Sequence, residues 1–132
     1  RLEVGPKDIQ KNQVVLVKRI NREKLFVSMD ELETKIPEVL EDIQTALYNK
    51  ALEMRNSRTF TAVNLDEMEK ILNETPGFNK AMYCGNEECE VTIKERMGAT
   101  ARCIPFEQEK ISDKCVCCQK EAKYMVYWGR AY

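Results

Sequence analysis

The sequence contains no histidine. That removes the one side chain whose ordinary pKa lies in the neutral range, and with it the commonest general acid–base. Glycine and proline are also scarce, with 5 and 4 among 132 residues, and no glycine-rich phosphate loop or serine nucleophile elbow occurs. The glutamates fall singly on predicted helix faces, where solvation accounts for them. Nothing in the chain therefore assembles a catalytic constellation. No apolar run approaches the ~20 residues that a membrane-spanning helix needs, and the first residues lack the apolar core of a signal peptide. Internal repeats and low-complexity tracts are absent too. The net charge is −1, which excludes a protein that coats nucleic acid through bulk positive charge.

What charge there is lies unevenly. Between Arg1 and Lys24 stand seven basic residues (Arg1, Lys7, Lys11, Lys18, Arg19, Arg22 and Lys24) against the acids Glu3, Asp8 and Glu23. From Asp30 to Tyr48 there are six acids against the single Lys35. A basic, strand-rich face beside an acidic helix suits RNA contact on one side only, although a solvated surface of mixed charge explains the same pattern.

Cysteine is the residue in surplus. Cys84-x4-Cys89 and Cys115-x2-Cys118 form two close pairs separated by 25 residues. Two thiolate pairs brought together by a fold supply the four tetrahedral sulfur donors that Zn²⁺ prefers in a closed structural site. Such a site staples a small domain and leaves no position for catalytic water. Six cysteines without a secretion signal point to a reducing compartment, the cytoplasm, where metal binding outcompetes disulfides. A disulfide framework is the competing reading. Cys117 leaves a second alternative open, because Cys115 and Cys117 could also form a pair. Cys103, beside Ile104 in a predicted strand, reads as a core thiol.

Strands are expected at Leu2–Val4, closed by a Gly5-Pro6 turn, at Val14–Val17 and at Lys24–Ser28, with a hairpin-like connection through Asn21–Glu23. A long amphipathic helix follows, capped by Ser28 or Asp30 and running to about Asn56. Ile36, Val39, Leu40, Ile43 and Leu47 form its apolar face, and Pro37 lies in its first turn or kinks it. Thr59–Val63 reads as a strand, and Asn64 as the N-cap of a helix over Leu65–Leu72 with Glu67 completing a capping box. Thr75-Pro76-Gly77 marks a boundary between units, 1–75 and 76–132. Beyond it come a strand at Phe78–Tyr83, a helix at Glu87–Met97 ended by Gly98, a strand at Ala101–Phe106, a loop to the second cysteine pair and a strand at Lys123–Trp128. Alternation places Tyr124, Val126 and Trp128 on one face of that last strand. Arg1–Val4 reads as the interior of a strand, so the chain is expected to be the C-terminal part of something longer.

Arg1-Leu2-Glu3-Val4-Gly5-Pro6-Lys7-Asp8, with Gln13–Arg19, resembles the anticodon-binding domain of prolyl-tRNA synthetases. The two cysteine pairs and the ending Trp128-Gly129-Arg130-Ala131-Tyr132 resemble the extra C-terminal zinc domain of the archaeal/eukaryote-like type. The resemblance covers the whole chain. It implies an α/β fold: part of an anticodon-binding domain with a mixed sheet and helices, then a small α+β zinc-binding domain. It further implies a class II ligase that activates proline with ATP and Mg²⁺, esterifies tRNA(Pro) and works as a homodimer. The chemistry would lie in a catalytic domain outside this sequence. Carried onto these positions, it makes Glu3 the candidate acceptor for a guanine edge and Lys7, Lys18 and Arg19 candidates for base or phosphate contact. It makes Tyr132 a support of the active site, and Cys84, Cys89, Cys115 and Cys118 the ligands of structural zinc. Gln119 departs from the pattern, standing where a zinc knuckle usually has glycine. The competing functions are a stand-alone zinc-ribbon RNA-binding protein and an interaction module that uses the acidic helix.

Overall fold

The computed structural model describes residues 1–131. Among these the elements run β1 (Leu2–Glu3), α1 (Pro6–Gln10), β2 (Gln13–Val17), β3 (Lys24–Ser28), α2 (Leu32–Ser57), β4 (Thr59–Thr61), α3 (Leu65–Glu74), β5 (Phe78–Tyr83), α4 (Glu87–Met97), β6 (Ala99–Cys103) and β7 (Tyr124–Arg130). The chain divides into two compact units, Arg1–Met54 and Arg55–Tyr132. No helix among the described residues is long and apolar enough to cross a membrane.

In the first unit β1, β2 and β3 form an antiparallel sheet in sequence order. Val14 faces Val27 and Leu16 faces Leu25 across the β2–β3 pair. Val14, Leu16 and Val27 bury against Val39 of α2, with Leu25, Met29, Leu32 and Ile43 packed around them. The expected Gly5-Pro6 turn is instead the start of α1. Pro6 occupies a first-turn position and the Asp8 carboxylate accepts the Gly5 N–H at 2.9 Å. Proline is preorganised there and loses no hydrogen bond. Five residues are too few to display helical periodicity, which hid this helix in the sequence. Ser28 accepts the Asp30 N–H at 3.3 Å and caps a 3-10 turn, Met29–Glu31, that leads into α2. Pro37 lies inside α2, beyond its first turn. Of the five residues expected to form the apolar face, Val39 is buried, Ile36 and Ile43 are half-buried, and Leu40 and Leu47 are exposed.

The second unit holds a mixed sheet in the order β4-β5-β7-β6. β4 and β5 are parallel, joined by the α3 crossover, and the remaining pairs are antiparallel. This moves the division of the chain. The expected split at residue 75 would cut β4 from its partner β5 and remove Met68 and Leu72 from the core they share with Ala81, Ile93, Val126 and Trp128. Thr75-Pro76-Gly77 is a tight return within one unit. A Cβ on Gly77 would stand 2.2 Å from the Arg58 carbonyl oxygen, so only glycine fits.

Local chemistry sets the helices of this unit. Asn64 accepts the Glu67 N–H at 2.9 Å, while the Glu67 carboxylate accepts the Val63 N–H at 2.9 Å. The latter is one residue earlier than a capping box would have it. Asn86 caps α4 and Gly98 ends it in the left-handed region at φ 68°. β6 begins at Ala99, two residues ahead of expectation, and ends at Cys103, which is exposed and not a core thiol. A bulge between Ala101 and Cys103 shifts the register, so that Cys103 stands opposite Tyr127 and not opposite Val126. Trp128 is fully buried and meets the Tyr83 ring edge-on, centroids 5.4 Å apart.

Arg130 ties both helices to the sheet. Its guanidinium donates to the carbonyls of Met97 at 2.6 Å and Leu72 at 3.1 Å, and to Asn73 Oδ1 at 2.7 Å. These lie in the last turns of α4 and α3, where unpaired carbonyls and the helix dipole both favour a cation. Arg130→Ala should cost about 2 kcal/mol, the scale of hydrogen bonds to a charged group. Thermal unfolding would show this as a fall in Tm of several degrees. An unchanged Tm would mean the helix ends do not depend on this side chain.

Candidate metal centre

Four thiols converge at one end of the second sheet. Cys84 leaves β5, Cys89 is the third residue of α4, and Cys115 and Cys118 lie on the loop before β7. The turn between the first two is held by the Tyr83 hydroxyl, which donates to the Asn86 carbonyl at 2.8 Å. Gly85 sits at φ 87°, a conformation that side chains disfavour, beneath the Tyr124 ring. The second pair rests on a knuckle in which the Cys115 N–H bonds to the Lys120 carbonyl at 2.8 Å and the Gln119 N–H to the Cys115 carbonyl at 3.1 Å. The Val116 N–H joins the knuckle to the Met82 carbonyl, and the Lys123 N–H bonds to that of Tyr83, both at 2.8 Å. Gln119 adopts φ 59°, the left-handed geometry that makes glycine usual at this point. Its side-chain amide donates to the Cys115 carbonyl at 3.1 Å and offsets part of the strain.

The sulfurs of Cys84, Cys89, Cys115 and Cys118 all lie within 4.8 Å of one another. Cys84 is 3.7 Å from both Cys89 and Cys118. A tetrahedral ion with metal–sulfur bonds of about 2.3 Å, the length for zinc, places its sulfurs about 3.8 Å apart. A disulfide would require about 2.05 Å. The spacing and the all-thiol donor set therefore fit a closed tetrahedral site, and the cluster can hold a metal ion. All six cysteines are free, so the disulfide framework is not what this fold builds. Cys118 stands with the other three sulfurs; Cys117 is half-buried against the core.

The thiols have opposed proton affinities. Burial pushes Cys89 up, and hydrogen bonds with the Cys118 and Cys84 thiols add to this. Burial also pushes Cys115 up, against the amides of Cys118 and Cys117 that point at its sulfur. Cys118 is drawn down to about 7, chiefly by the Lys120 N–H.

The other sequence-predicted residues lie in the first unit. Glu3 pairs with Arg1 at 2.6 Å and lies 3.9 Å from Lys24. Lys18 is held between Glu23 and Asp42, each at 3.3 Å; the hydrogen bond to Glu23 is the main cause of its raised pKa. Arg19 is exposed and shares a pocket of about 220 Å³ with Arg1, Val17, Lys18 and Arg22. Lys7 sits apart on α1, exposed. Sequence reasoning passed over Arg22, whose φ of 64° in the β2–β3 connection carries it to this pocket. The signal was its place in a turn among basic residues. Tyr132 lies outside the described residues.

A family model described as prolyl-tRNA synthetase, C-terminal, matches residues 65–132. The chain belongs to the prolyl-tRNA synthetase family. It is 58% identical over all 132 residues to a proline–tRNA ligase from Ruminiclostridium cellulolyticum and 61% identical to one from Clostridium novyi, covering 28% of each. Among solved structures it is similar to prolyl-tRNA synthetase from Cryptosporidium parvum, crystallised with L-proline and AMP. The TM-score is 0.91 at 36% identity, over 100% of this chain and 28% of that one. The chain thus spans 28% of the length of these relatives. The family match begins at Leu65, the first residue of α3, and so includes the helix that packs into the second core.

Cobalt titration should bind one ion per chain and give the visible absorption of tetrahedral thiolate coordination. Cys89→Ser should abolish it, while Cys103→Ser and Cys117→Ser should leave it intact; loss with Cys117→Ser would reassign the fourth donor. Affinity should rise with pH between about 6 and 9, because Cys89 and Cys115 must give up protons that burial retains. In the metal-free chain the signs are separable. The raised Cys89 favours the fold below 9.0, an effect lost as pH rises through its folded pKa. The lowered Cys118 favours it above 9.0, an effect lost as pH falls through about 7.

Proposed function

We propose that this chain is the C-terminal part of a class II proline–tRNA ligase, acting through RNA recognition and support of the active site. The observation that carries the reading is the chain-long similarity in sequence and fold to proline–tRNA ligases. Activation of proline with ATP and Mg²⁺, and transfer to tRNA(Pro), would belong to a catalytic domain outside this sequence. The intact protein would be a cytoplasmic homodimer. We assign anticodon binding to the first unit and zinc binding to the second.

The ion in this assignment is Zn²⁺ on Cys84, Cys89, Cys115 and Cys118, a closed-shell cation that would supply cross-linking and no redox chemistry. These thiolates join the end of β5, the start of α4 and the knuckle that precedes β7. In the RNA-facing unit, the Glu3 carboxylate would accept the N1–H and N2–H of a guanine after releasing Arg1. Arg19 and Arg22 suit phosphate contact better than Lys18, because two carboxylates already engage the Lys18 ammonium. Lys7 would contact RNA from α1.

One observation favours an additional role as a protein-interaction module. Leu40, Leu47 and Met54 recur at seven-residue intervals along α2 and are all more than half exposed. The same stripe is compatible with the ligase, so it supplements that reading.

In the intact enzyme Glu3→Ala should raise the KM for tRNA by about tenfold or more, the scale of a lost two-bond base contact. The loss should shrink when the anticodon guanines are replaced; an equal loss with every anticodon would assign Glu3 to packing. Deletion of Tyr132 should slow proline-dependent pyrophosphate exchange in the absence of tRNA. A normal rate would reject its role at the active site.

A further inference from the structure

The two faces of the second sheet are built differently. α3 and α4 share one core with the face that carries Ala81, Tyr83, Val126 and Trp128. On the other face the loop after β6 reaches Met125, where Gln108 Oε1 accepts the Met125 N–H at 2.6 Å. Beyond that point lies a pocket of about 640 Å³ lined by Arg55, Phe78, Lys80, Arg102, Cys103 and Tyr127, among others. Three lining residues are cationic and none is acidic.

The pocket is shaped by packing. Lys80 stands directly across from Tyr127 on the β5–β7 pair. A Cβ on Gly129 would meet the Phe78 ring at 3.2 Å and the Arg102 Nε at 3.6 Å, so this glycine makes room for both groups. Arg102 donates to the Gly129 carbonyl at 3.3 and 3.1 Å, which orients its guanidinium beside the Phe78 ring. Arg55 is oriented by Asn56 Oδ1 at 3.3 and 3.2 Å. Each guanidinium has five N–H donors and retains some for a ligand. The Lys80 ammonium pairs with Glu109, whose side chain is 61% exposed and can be displaced by another anion. Phe78 is 42% exposed, and the Tyr127 hydroxyl has no hydrogen-bond partner among the described residues.

We propose that this pocket binds a short stretch of single-stranded RNA, with bases against Phe78 and Tyr127 and phosphates on Arg55, Lys80 and Arg102. Aromatic rings on an open sheet face interleaved with cations provide stacking and backbone attraction together. An anion-only site would not place two rings among its cations, and an apolar ligand would leave three charges unmet. The pocket volume exceeds the need of a single phosphate and suits about two nucleotides. This binding surface lies in the second unit, apart from the residues assigned to the anticodon, and does not depend on that assignment.

The test is fluorescence anisotropy of the full 132-residue chain with a labelled uridine decamer and an adenosine decamer. Binding should be measurable below about 100 μM at low salt, with a log–log salt slope near −2 for three phosphate contacts on a single strand. Tyr127→Ala and Phe78→Ala should each weaken it about tenfold, whereas Tyr127→Phe should keep it. Arg102→Gln and Arg55→Gln should each flatten the slope by about 0.7. Unchanged near-ultraviolet circular dichroism checks that each variant is folded. In the Arg19→Gln/Arg22→Gln background, which removes the phosphate contacts assigned to the first unit, Tyr127→Ala should still weaken the binding that remains. Absence of binding overturns the proposal. So does binding lost with Arg19→Gln/Arg22→Gln but indifferent to Tyr127→Ala. AMP binding as tightly as the decamer would assign the pocket to free nucleotide, and equal competition by polyglutamate would assign it to an acidic protein segment; either result overturns the RNA assignment.

Discussion

Strand β7 is the constraint on which the second unit depends. It lies between β5 and β6, and its pairing with both makes one sheet from segments far apart in sequence. Trp128 fills the core from its middle. At its start, the Lys123 N–H to the Tyr83 carbonyl sets the cysteine knuckle beside Cys84. At its end, Arg130 closes the last turns of α3 and α4. Core, thiol cluster and helix ends are thus three consequences of one register. A slip of one residue would turn Trp128 out of the core and carry Arg130 away from the helix carbonyls.

The thiol cluster shows how a fold can prepare an ion site. Burial of Cys89 and Cys115 opposes ionisation, so two buried thiolates without a cation would be costly. A divalent ion reverses that balance by neutralising them, and its binding energy then adds to the stability of the fold. The amides of Cys117, Cys118 and Lys120 already point at sulfur, which lowers the electrostatic cost of bringing the thiolates together. Gln119 shows that the knuckle geometry, and not glycine itself, is what the site requires. A side-chain hydrogen bond compensates for a backbone angle that glycine would adopt freely.

The two units use charge differently. In the first, lysine and carboxylate pair off, as at Lys18 with Glu23 and Asp42, leaving Arg19 and Arg22 as the cations of the basic pocket without a carboxylate partner among the described residues. In the second, three cations share a pocket with two aromatic rings on the sheet face away from α3 and α4. A net charge of −1 conceals both arrangements, because averaging over the chain erases where the charges lie.

The sequence alone determined what depends on local chemistry. The spacing of Cys84, Cys89, Cys115 and Cys118 announced a thiol cluster. Asn64 and Gly98 marked helix ends, because a cap needs only its nearest neighbours along the chain. The terminal motif and the Leu-Glu-Val-Gly-Pro segment pointed to the family. Only tertiary structure decided what depends on partners distant in sequence. β4 joins β5 across α3, which moved the division of the chain from Thr75–Gly77 to Met54–Arg55. Leu40 and Leu47 lie on an amphipathic face, yet burial requires an opposing surface that periodicity cannot reveal. Cys103 turned outward because a bulge shifts its register against β7. Arg130 acquired its role because strand pairing delivers a cation to two helix ends that the sequence places far from it.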